Sequence, residues 1–173
     1  MTSAVTTLRA LARAPVVDCV SRYGVRLVLV PDGEPIPCSY WGAPEAGLEG
    51  DRLYVRADTP AHSLLHELGH YVCMSADRRA RLVKDAGGTA LEECAVCYLQ
   101  ILLADELPGF GRDKALADMD AWGYSFREGS AGAWWRGDAR FARGWLLERG
   151  LIDASGRVTW RLRGSENFAE KGV

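Results

Sequence analysis

The sequence predicts an α+β fold, in which a short antiparallel or mixed sheet packs on one of several helices. Two observations support this class. The chain begins with an apolar helical segment, continues with short β-branched runs separated by turns, and then carries several helical segments, an order typical of α+β domains. The second observation is the run His66-Glu67-Leu68-Gly69-His70. Its two histidines are four residues apart and therefore share one face of a helix.

Length and composition indicate one ordinary globular domain. The chain has 173 residues, of which 48% are hydrophobic and 25% are charged, so neither disorder nor a membrane span is expected. A formal net charge of -2 argues against direct nucleic-acid binding through bulk electrostatics. We divide 1–173 into an N-terminal helix and sheet (1–58), a helical part with the histidine motif (59–106), a helical, aromatic-rich part (107–164) and a tail (165–173).

The cysteines and the N-terminus favour a cytoplasmic location. Five cysteines, an odd number without the spacing of a disulfide scaffold, are expected to be reduced thiols. The first residues contain no long apolar stretch followed by a small-residue cleavage site, so we expect no signal peptide.

The elements of the first third follow from apolar runs and turn residues. Residues 2–20 carry leucine, valine and alanine on one side and predict a helix. Gly24 precedes a β-branched run that Pro31-Asp32-Gly33 ends, which predicts a strand over 25–30. Two further strands are expected over 38–41 and 51–56.

Helix-start signals place the histidine motif on a helix. Asp58-Thr59-Pro60 supplies a capping threonine and a proline suited to the first helical position, and this helix should end near Met74. A shorter helix is expected over 76–84 and another over 89–106, where Leu107-Pro108-Gly109 would end it.

The last third is rich in aromatic residues and glycine. Residues 138–149 predict a helix with Gly150 just past its end. A weak hairpin over 151–162 would close the domain, and the tail after Gly164 is expected to fray.

The motif itself points to metal chemistry. On a helix, the imidazoles of His66 and His70 lie one turn apart, so both can bind one metal ion. Glu67 lies beside that axis, where its carboxylate could hold a metal-bound water without being a ligand. This is the H-E-x-x-H arrangement of zinc-dependent peptidases, and it predicts one Zn²⁺ ion.

A third protein ligand is needed, because a catalytic zinc has three protein ligands and one open position. The residues after His70 are Tyr71-Val72-Cys73, so the H-x-x-G-x-x-H continuation of the metzincins is absent. The only other histidine, His62, lies upstream. The third ligand is therefore expected from the glutamate pair at 92 and 93 on the later helix.

Helix faces favour Glu92 over Glu93 as that ligand. Positions three, four and seven residues after Glu92 are Ala95, Val96 and Leu99, an apolar stripe that should face the core. The stripe after Glu93 ends in a polar residue, Gln100. A carboxylate on a core-facing stripe needs a charge partner, which Zn²⁺ would supply. Glu93 stays open as the alternative.

The chain resembles the ImmA/IrrE-type zinc peptidases, which belong to the thermolysin-like gluzincin group. His66-Glu67-Leu68-Gly69-His70-Tyr71 and the later Glu92-x-x-Ala95 helix carry the resemblance, which covers roughly residues 53–103. It implies a small zincin-like domain, with His66, His70 and Glu92 as metal ligands and Glu67 as the catalytic glutamate. Family members often have Asn or Asp at the position of Val96, so the usual partner that orients a ligand is absent there.

The resemblance also implies how a substrate would bind and react. Zinc would lower the pKa of its water to about 7, and Glu67 would act as general base. The strand over 51–56 would be the sheet edge to which a peptide adds as an extra strand. The sequence leaves four candidates for the donor that stabilises the oxyanion, namely His62, Tyr71, Tyr98 and Tyr124.

Two functions follow from these observations. The first is a cytoplasmic zinc peptidase with a narrow protein or peptide substrate. The alternative is a non-catalytic metal-binding module, regulatory or protein-interacting, that retains the zincin fold. The intact Glu67 favours the first, because a module that only binds has no need of that carboxylate. The oligomeric state is left open.

Overall fold

The computed structural model describes residues 4–165. In this part of the chain it contains seven α-helices and one three-stranded mixed sheet, so the predicted α+β class is confirmed. Buried apolar side chains from the helices and the sheet form one contiguous core. The strands are β1 (Arg26–Leu29), β2 (Gly47–Glu49) and β3 (Arg52–Val55). The helices are α1 (Arg13–Ser21), α2 (Ala61–Cys73), α3 (Ala76–Ala80), α4 (Ala90–Ala104), α5 (Arg112–Trp122), α6 (Ala131–Gly137) and α7 (Arg140–Glu148).

The N-terminal segment is not one continuous helix, contrary to the prediction for 2–20. A 3-10 turn at Leu8–Ala10 precedes α1. The Leu8 N–H donates to the Thr59 carbonyl at 2.9 Å, and the Ala61 N–H donates to the Thr6 carbonyl at 2.8 Å. These bonds satisfy the backbone of the segment through tertiary contacts instead of a helix, and they tie it to the start of α2.

The sheet has the order β1-β3-β2, with β1 parallel and β2 antiparallel to β3. The strands predicted over 25–30 and 51–56 are confirmed as β1 and β3. The strand predicted over 38–41 is wrong, because Ser39 forms only an isolated bridge to Gly47 and the strand itself is β2. A Cβ at Gly47 would collide with the Pro37 carbonyl oxygen, so this close approach of two chain segments requires glycine.

β3, the strand just before α2, is the central strand of the sheet. The resemblance implies an edge strand here, and that expectation is wrong, since β1 and β2 occupy both of its sides. The outer side of β2 is also partly covered. The Lys84 N–H donates to the Leu48 carbonyl at 3.2 Å, and Val83 forms an isolated bridge to Glu49. A peptide therefore cannot add to β3 as a strand.

The helices that carry the motif and the glutamate pair are close to the prediction. α2 ends at Cys73, but its N-cap is Pro60, while the Thr59 hydroxyl accepts the Arg56 N–H at 2.9 Å. α4 begins after Thr89, whose hydroxyl accepts the Glu92 N–H at 3.2 Å, as a capping threonine does. α3 is shorter than predicted. α4 lies at the centre of the helical layer, where it packs against α2, α5 and α7.

The last third contains two helices that the sequence did not indicate, α5 and α6. The helix predicted over 138–149 is confirmed as α7. The hairpin predicted over 151–162 is reduced to one bridge between Ile152 and Val158. The tail from residue 166 lies outside the described residues. Among residues 4–165, none of the helices combines the length and apolar character that crossing a bilayer requires.

Candidate metal centre and its cleft

The two histidines of the motif face each other on α2. Their Nε2 atoms are 3.1 Å apart, and the ring planes are nearly perpendicular at 89°. This is the result of helical spacing, since residues four apart lie one above the other on a single face. His66 and His70 therefore present two nitrogen donors to one point in space.

Glu93 on α4 supplies the third converging side chain. Its Oε1 atom lies 3.0 Å from His66 Nε2, and its Oε2 atom lies 3.2 Å from His70 Nε2. These three side chains are the group among the described residues whose donor atoms could hold one metal ion. Glu93 replaces Glu92, which the helix-face argument favoured, as the candidate third ligand.

Glu92 points away from the histidines and pairs with two arginines. Its carboxylate oxygens lie 2.8 Å from Arg78 Nη1 and 3.2 Å from Arg163 Nη1, and its side chain is only 5% exposed. The expectation that a buried Glu92 needs a positive partner is correct. The partner, however, is a pair of guanidinium groups from α3 and the C-terminal segment rather than a metal.

The apolar stripe correctly indicated that Glu92 is buried, since its side chain is 5% exposed and that of Glu93 is 49% exposed. It did not indicate the partner, because two arginines from other parts of the chain can compensate a buried carboxylate as well as a metal can. A different signal lies in the spacing of polar residues. Glu93 and Gln100 are seven residues apart on α4, and both contact the histidines of α2.

The spacing of the three donors fits a zinc ion. Ligands at about 2.0–2.1 Å in a tetrahedron lie about 3.3 Å from one another. The two Nε2 atoms are 3.1 Å apart, and the Glu93 oxygens Oε1 and Oε2 lie 3.0 Å from His66 Nε2 and 3.2 Å from His70 Nε2, respectively. One donor atom from each residue lies within 4.8 Å of the other two. Two imidazoles and one carboxylate are also a donor set of catalytic zinc sites. The residues present therefore fit the ion that the motif implies.

Gln100 supplies the polar contact to His66 that Val96 cannot supply. Its Oε1 lies 2.6 Å from His66 Nδ1, and its Nε2 donates to the His62 carbonyl at 3.3 Å. The amide nitrogen is used by that carbonyl, so Oε1 accepts the Nδ1–H of His66 and leaves Nε2 free for a metal. Gln100 is 1% exposed, so the side chains packed around it restrict it to this geometry.

Val96 instead sets the distance between α2 and α4. A Cβ at Gly69 would lie 3.0 Å from the Val96 Cγ1 atom and 3.3 Å from its carbonyl oxygen. The glycine of the motif thus allows the two helices to approach closely enough for Glu93 to reach both imidazoles. A larger residue at 69 would have to push the helices apart.

The pKa values of the two imidazoles are shifted in opposite directions. Burial, and then the neighbouring His66, lower the pKa of His70 to about 4. Burial also opposes protonation of His66, but surrounding groups, with Tyr124 foremost, outweigh it and raise the pKa of His66 well above its usual value. A metal binds only unprotonated nitrogen, so binding would displace the proton on His66.

Glu67 lines the same cleft as His66, His70 and Glu93. Burial raises the pKa of Glu67 to about 7; His66 opposes this rise, and Glu93 and Glu45 add to it. A carboxyl group that titrates near neutral pH can both accept and release a proton, which general acid–base chemistry needs.

The structure separates the four candidates for the oxyanion donor. His62 and Tyr124 line the cleft, with the Tyr124 hydroxyl 3.2 Å from His62 Nδ1. Tyr71 lies under the guanidinium of Arg79, and Tyr98 stacks on Trp135 at 4.3 Å between centroids. Neither Tyr71 nor Tyr98 lines the cleft, so aromatic packing accounts for both.

The cleft has a volume of about 520 Å³. Besides the residues of α2 and α4, residues of the loop over 40–45, the loop over 84–87 and the end of α5 line it. Comparison of the chain with family models, with characterised proteins and with solved structures found no match. The geometry of this cleft is therefore what indicates a function.

Proposed function

We propose that this protein is a zinc-dependent peptidase with a small zincin-like domain. The observation that carries the proposal is the convergence of His66, His70 and Glu93 to 3.0–3.2 Å, with Glu67 in the same cleft. Three ligands of this kind leave one coordination position open for chemistry, which distinguishes catalytic from structural zinc sites.

His66, His70 and Glu93 would hold one Zn²⁺ ion, with Gln100 orienting His66. A zinc ion there would supply Lewis acidity, polarising a carbonyl and lowering the pKa of a coordinated water to about 7. The role of Gln100 is to keep the Nδ1 proton of His66 in place, so that Nε2 stays a donor to the metal.

Glu67 would move the protons of the reaction. Its carboxylate would accept a proton from the attacking water and return it to the leaving amine. The raised pKa of Glu67, about 7, supports both halves of this role near neutral pH.

Tyr124 is the side chain best placed to donate to the oxyanion. Its hydroxyl lies in the cleft within 3.2 Å of His62 Nδ1, which would orient it. The rings of His66 and Tyr124 are 5.8 Å apart between centroids, so the hydroxyl is near the reacting centre. A donor preorganised in this way stabilises charge that develops in the transition state.

The partner in this proposal is a protein or peptide substrate in the cytoplasm, without direct nucleic-acid binding. All five cysteines are free, which favours a reducing compartment. One observation favours the alternative of a non-catalytic metal-binding module: both sides of β3 are occupied, so the expected mode of peptide binding is closed.

The test separates the two functions. Purified protein should bind about one equivalent of zinc, and Glu67→Gln should keep the zinc and lose cleavage of a peptide library read by mass spectrometry. Glu148→Gln, an exposed glutamate on α7, is the matched control and should cleave normally. Less than about half an equivalent of zinc in the unmutated protein contradicts both functions. Full cleavage by Glu67→Gln contradicts the peptidase.

A further inference from the structure

Two exposed aromatic rings from neighbouring residues line the cleft. Tyr40 is 52% exposed and Trp41 is 79% exposed, and both line the cleft. We call this pair the aromatic lip. Large apolar side chains left in water beside a cleft mark a binding surface, because covering an aromatic ring removes a large apolar area from water.

The aromatic lip is held in position at both ends of its loop. Ser39 forms a bridge to Gly47 at the start of β2, and the Ala46 N–H donates to the Ser63 hydroxyl of α2 at 3.0 Å. The two rings pack edge to face, 5.0 Å apart between centroids. Exposure of the rings therefore does not come from a loose loop. Ser63 lies on α2, the same helix as the motif.

Trp122, at the end of α5, is the third exposed aromatic residue that lines the cleft. The Trp122 indole N–H donates to Glu45 at 2.7 Å, and its ring lies 5.4 Å from that of His62. Trp122 is 39% exposed. Among the described residues, the exposed tryptophan and tyrosine rings thus all line this cleft. The other exposed aromatic ring, Phe141 on α7, is 60% exposed and does not line it.

The charges around the rim restrict what the lip can bind. The charged residues that line the cleft away from the histidine motif and Glu93 include two carboxylates, Glu45 and Asp85, and one ammonium, Lys84. These three side chains sum to one net negative charge, so an acidic ligand meets a like charge there, which costs binding energy. A neutral or basic segment with a large apolar side chain meets no such penalty.

We propose that Tyr40 and Trp41 form a specificity subsite that binds a large apolar or aromatic side chain of a polypeptide segment crossing the cleft. The subsite selects against acidic residues at that position. This inference rests on the proposed function, since it names the substrate class of the same cleft. It also replaces strand addition to β3 as the means of holding the segment.

The experiment measures binding in a protein that does not cleave. The probes are the pentapeptides acetyl-Gly-Gly-X-Gly-Gly-amide with X as Phe, Ala or Asp. They are titrated into zinc-loaded Glu67→Gln protein while the indole N–H signals are followed by NMR, with the Trp41 signal assigned by Trp41→Phe. The Phe peptide should shift the Trp41 signal and bind about tenfold more tightly than the Ala peptide. The Asp peptide should bind most weakly.

The variants test the lip directly. Trp41→Ala in the same background should weaken binding of the Phe peptide about tenfold. Phe141→Ala, which removes an exposed aromatic remote from the cleft, should leave it unchanged. Equal binding of the three peptides, no binding of any, or an unchanged affinity in Trp41→Ala overturns the subsite. The binding assay does not depend on turnover. Trp41-dependent binding, together with no cleavage by the unmutated protein, would therefore sustain the subsite and contradict the peptidase.

Discussion

Glu92 and Glu93 are neighbours in the chain but lie in two different regions of the molecule. Glu92 belongs to the arginine side of α4, with Arg78 and Arg163, and Glu93 belongs to the histidine side, with His66 and His70. Successive side chains of a helix point about 100° apart around its axis. A shift of one position along the chain therefore decides which side of α4 a carboxylate reaches.

The two regions balance the charge of their carboxylates in different ways. Guanidinium groups are charged at every relevant pH, so the arginine side is complete within the chain and serves stability. Imidazoles carry charge only when protonated and otherwise offer lone pairs, so the charge of Glu93 can be balanced either by a proton on His66, whose pKa is raised, or by a metal ion. A permanently compensated carboxylate is structural, whereas a conditionally compensated one is available for binding.

The largest effect is expected on the histidine side. Glu93→Ala removes one of three ligands and should weaken zinc binding by more than about 100-fold, since loss of an orienting partner alone costs 10–100-fold. A competition titration with a chromophoric chelator measures it. Glu92→Gln, which preserves size, should keep zinc affinity within about threefold, because it lies outside the donor set. Loss of zinc in Glu92→Gln but not in Glu93→Ala would restore Glu92 as the ligand.

On the arginine side the expected loss is in stability. Glu92→Ala leaves two guanidinium groups without their shared carboxylate. Breaking a buried pair costs about 3–5 kcal/mol, and we expect about 2–3 kcal/mol here because the arginine side chains are 29–30% exposed and remain partly hydrated. Urea unfolding in the presence of a chelator gives this number. Glu93→Ala under the same conditions should change it by less than about 1 kcal/mol, and the reverse order would erase the contrast between the two sides.

A smaller effect is expected at the residue that orients His66. Gln100→Met removes the acceptor for the Nδ1 proton and should weaken zinc binding about tenfold. Gln100→Glu keeps an acceptor at the same place and should retain the affinity, as carboxylate–histidine–zinc arrangements do. The same chelator competition applies to both. Equal affinities for Gln100→Met and the unmutated protein would show that the 2.6 Å contact has no part in metal binding.

The smallest effect concerns the distance between α2 and α4. At Gly69→Ala the new methyl would lie 3.0 Å from Val96 Cγ1, and the strain of about 1–2 kcal/mol is partly offset by the helix propensity of alanine, up to about 1 kcal/mol. We expect a net loss of about 1 kcal/mol or less. Gly144→Ala on α7, where a Cβ meets nothing within 4 Å, is the control and should be stabilising. Equal changes in unfolding free energy would show that the helices are not in tight contact.

Sequence patterns predicted the elements that carry strong local signals. The run of residues 25–30 and the motif helix are marked by turn residues and by periodicity, and they recur as β1 and α2 with small shifts at their ends. β2 was missed because its three residues have no alternation of their own. Its position depends on Gly47 meeting the chain near Pro37, which is a contact between segments.

The two short helices of the last third were missed for a related reason. α5 begins after Gly111 without a side-chain cap, and its own sequence is not strongly apolar on one side. The Asp118 side chain accepts the Thr6 N–H at 2.8 Å, and Met119 is fully buried. Helices of this kind obtain their stability from tertiary packing more than from local propensity.

By itself the sequence determined that a helix presents His66, Glu67 and His70 together, because a spacing of four residues has only one geometric meaning on a helix. It also determined that the third side chain is one of two adjacent glutamates on α4. The choice between them depended on tertiary packing, because the pattern within α4 indicates which glutamate faces the core but not which neighbouring side chains each one meets. In the packing of α4 against α2, where Val96 lies close to Gly69, the half-exposed Glu93 meets the histidines and the buried Glu92 meets the arginines.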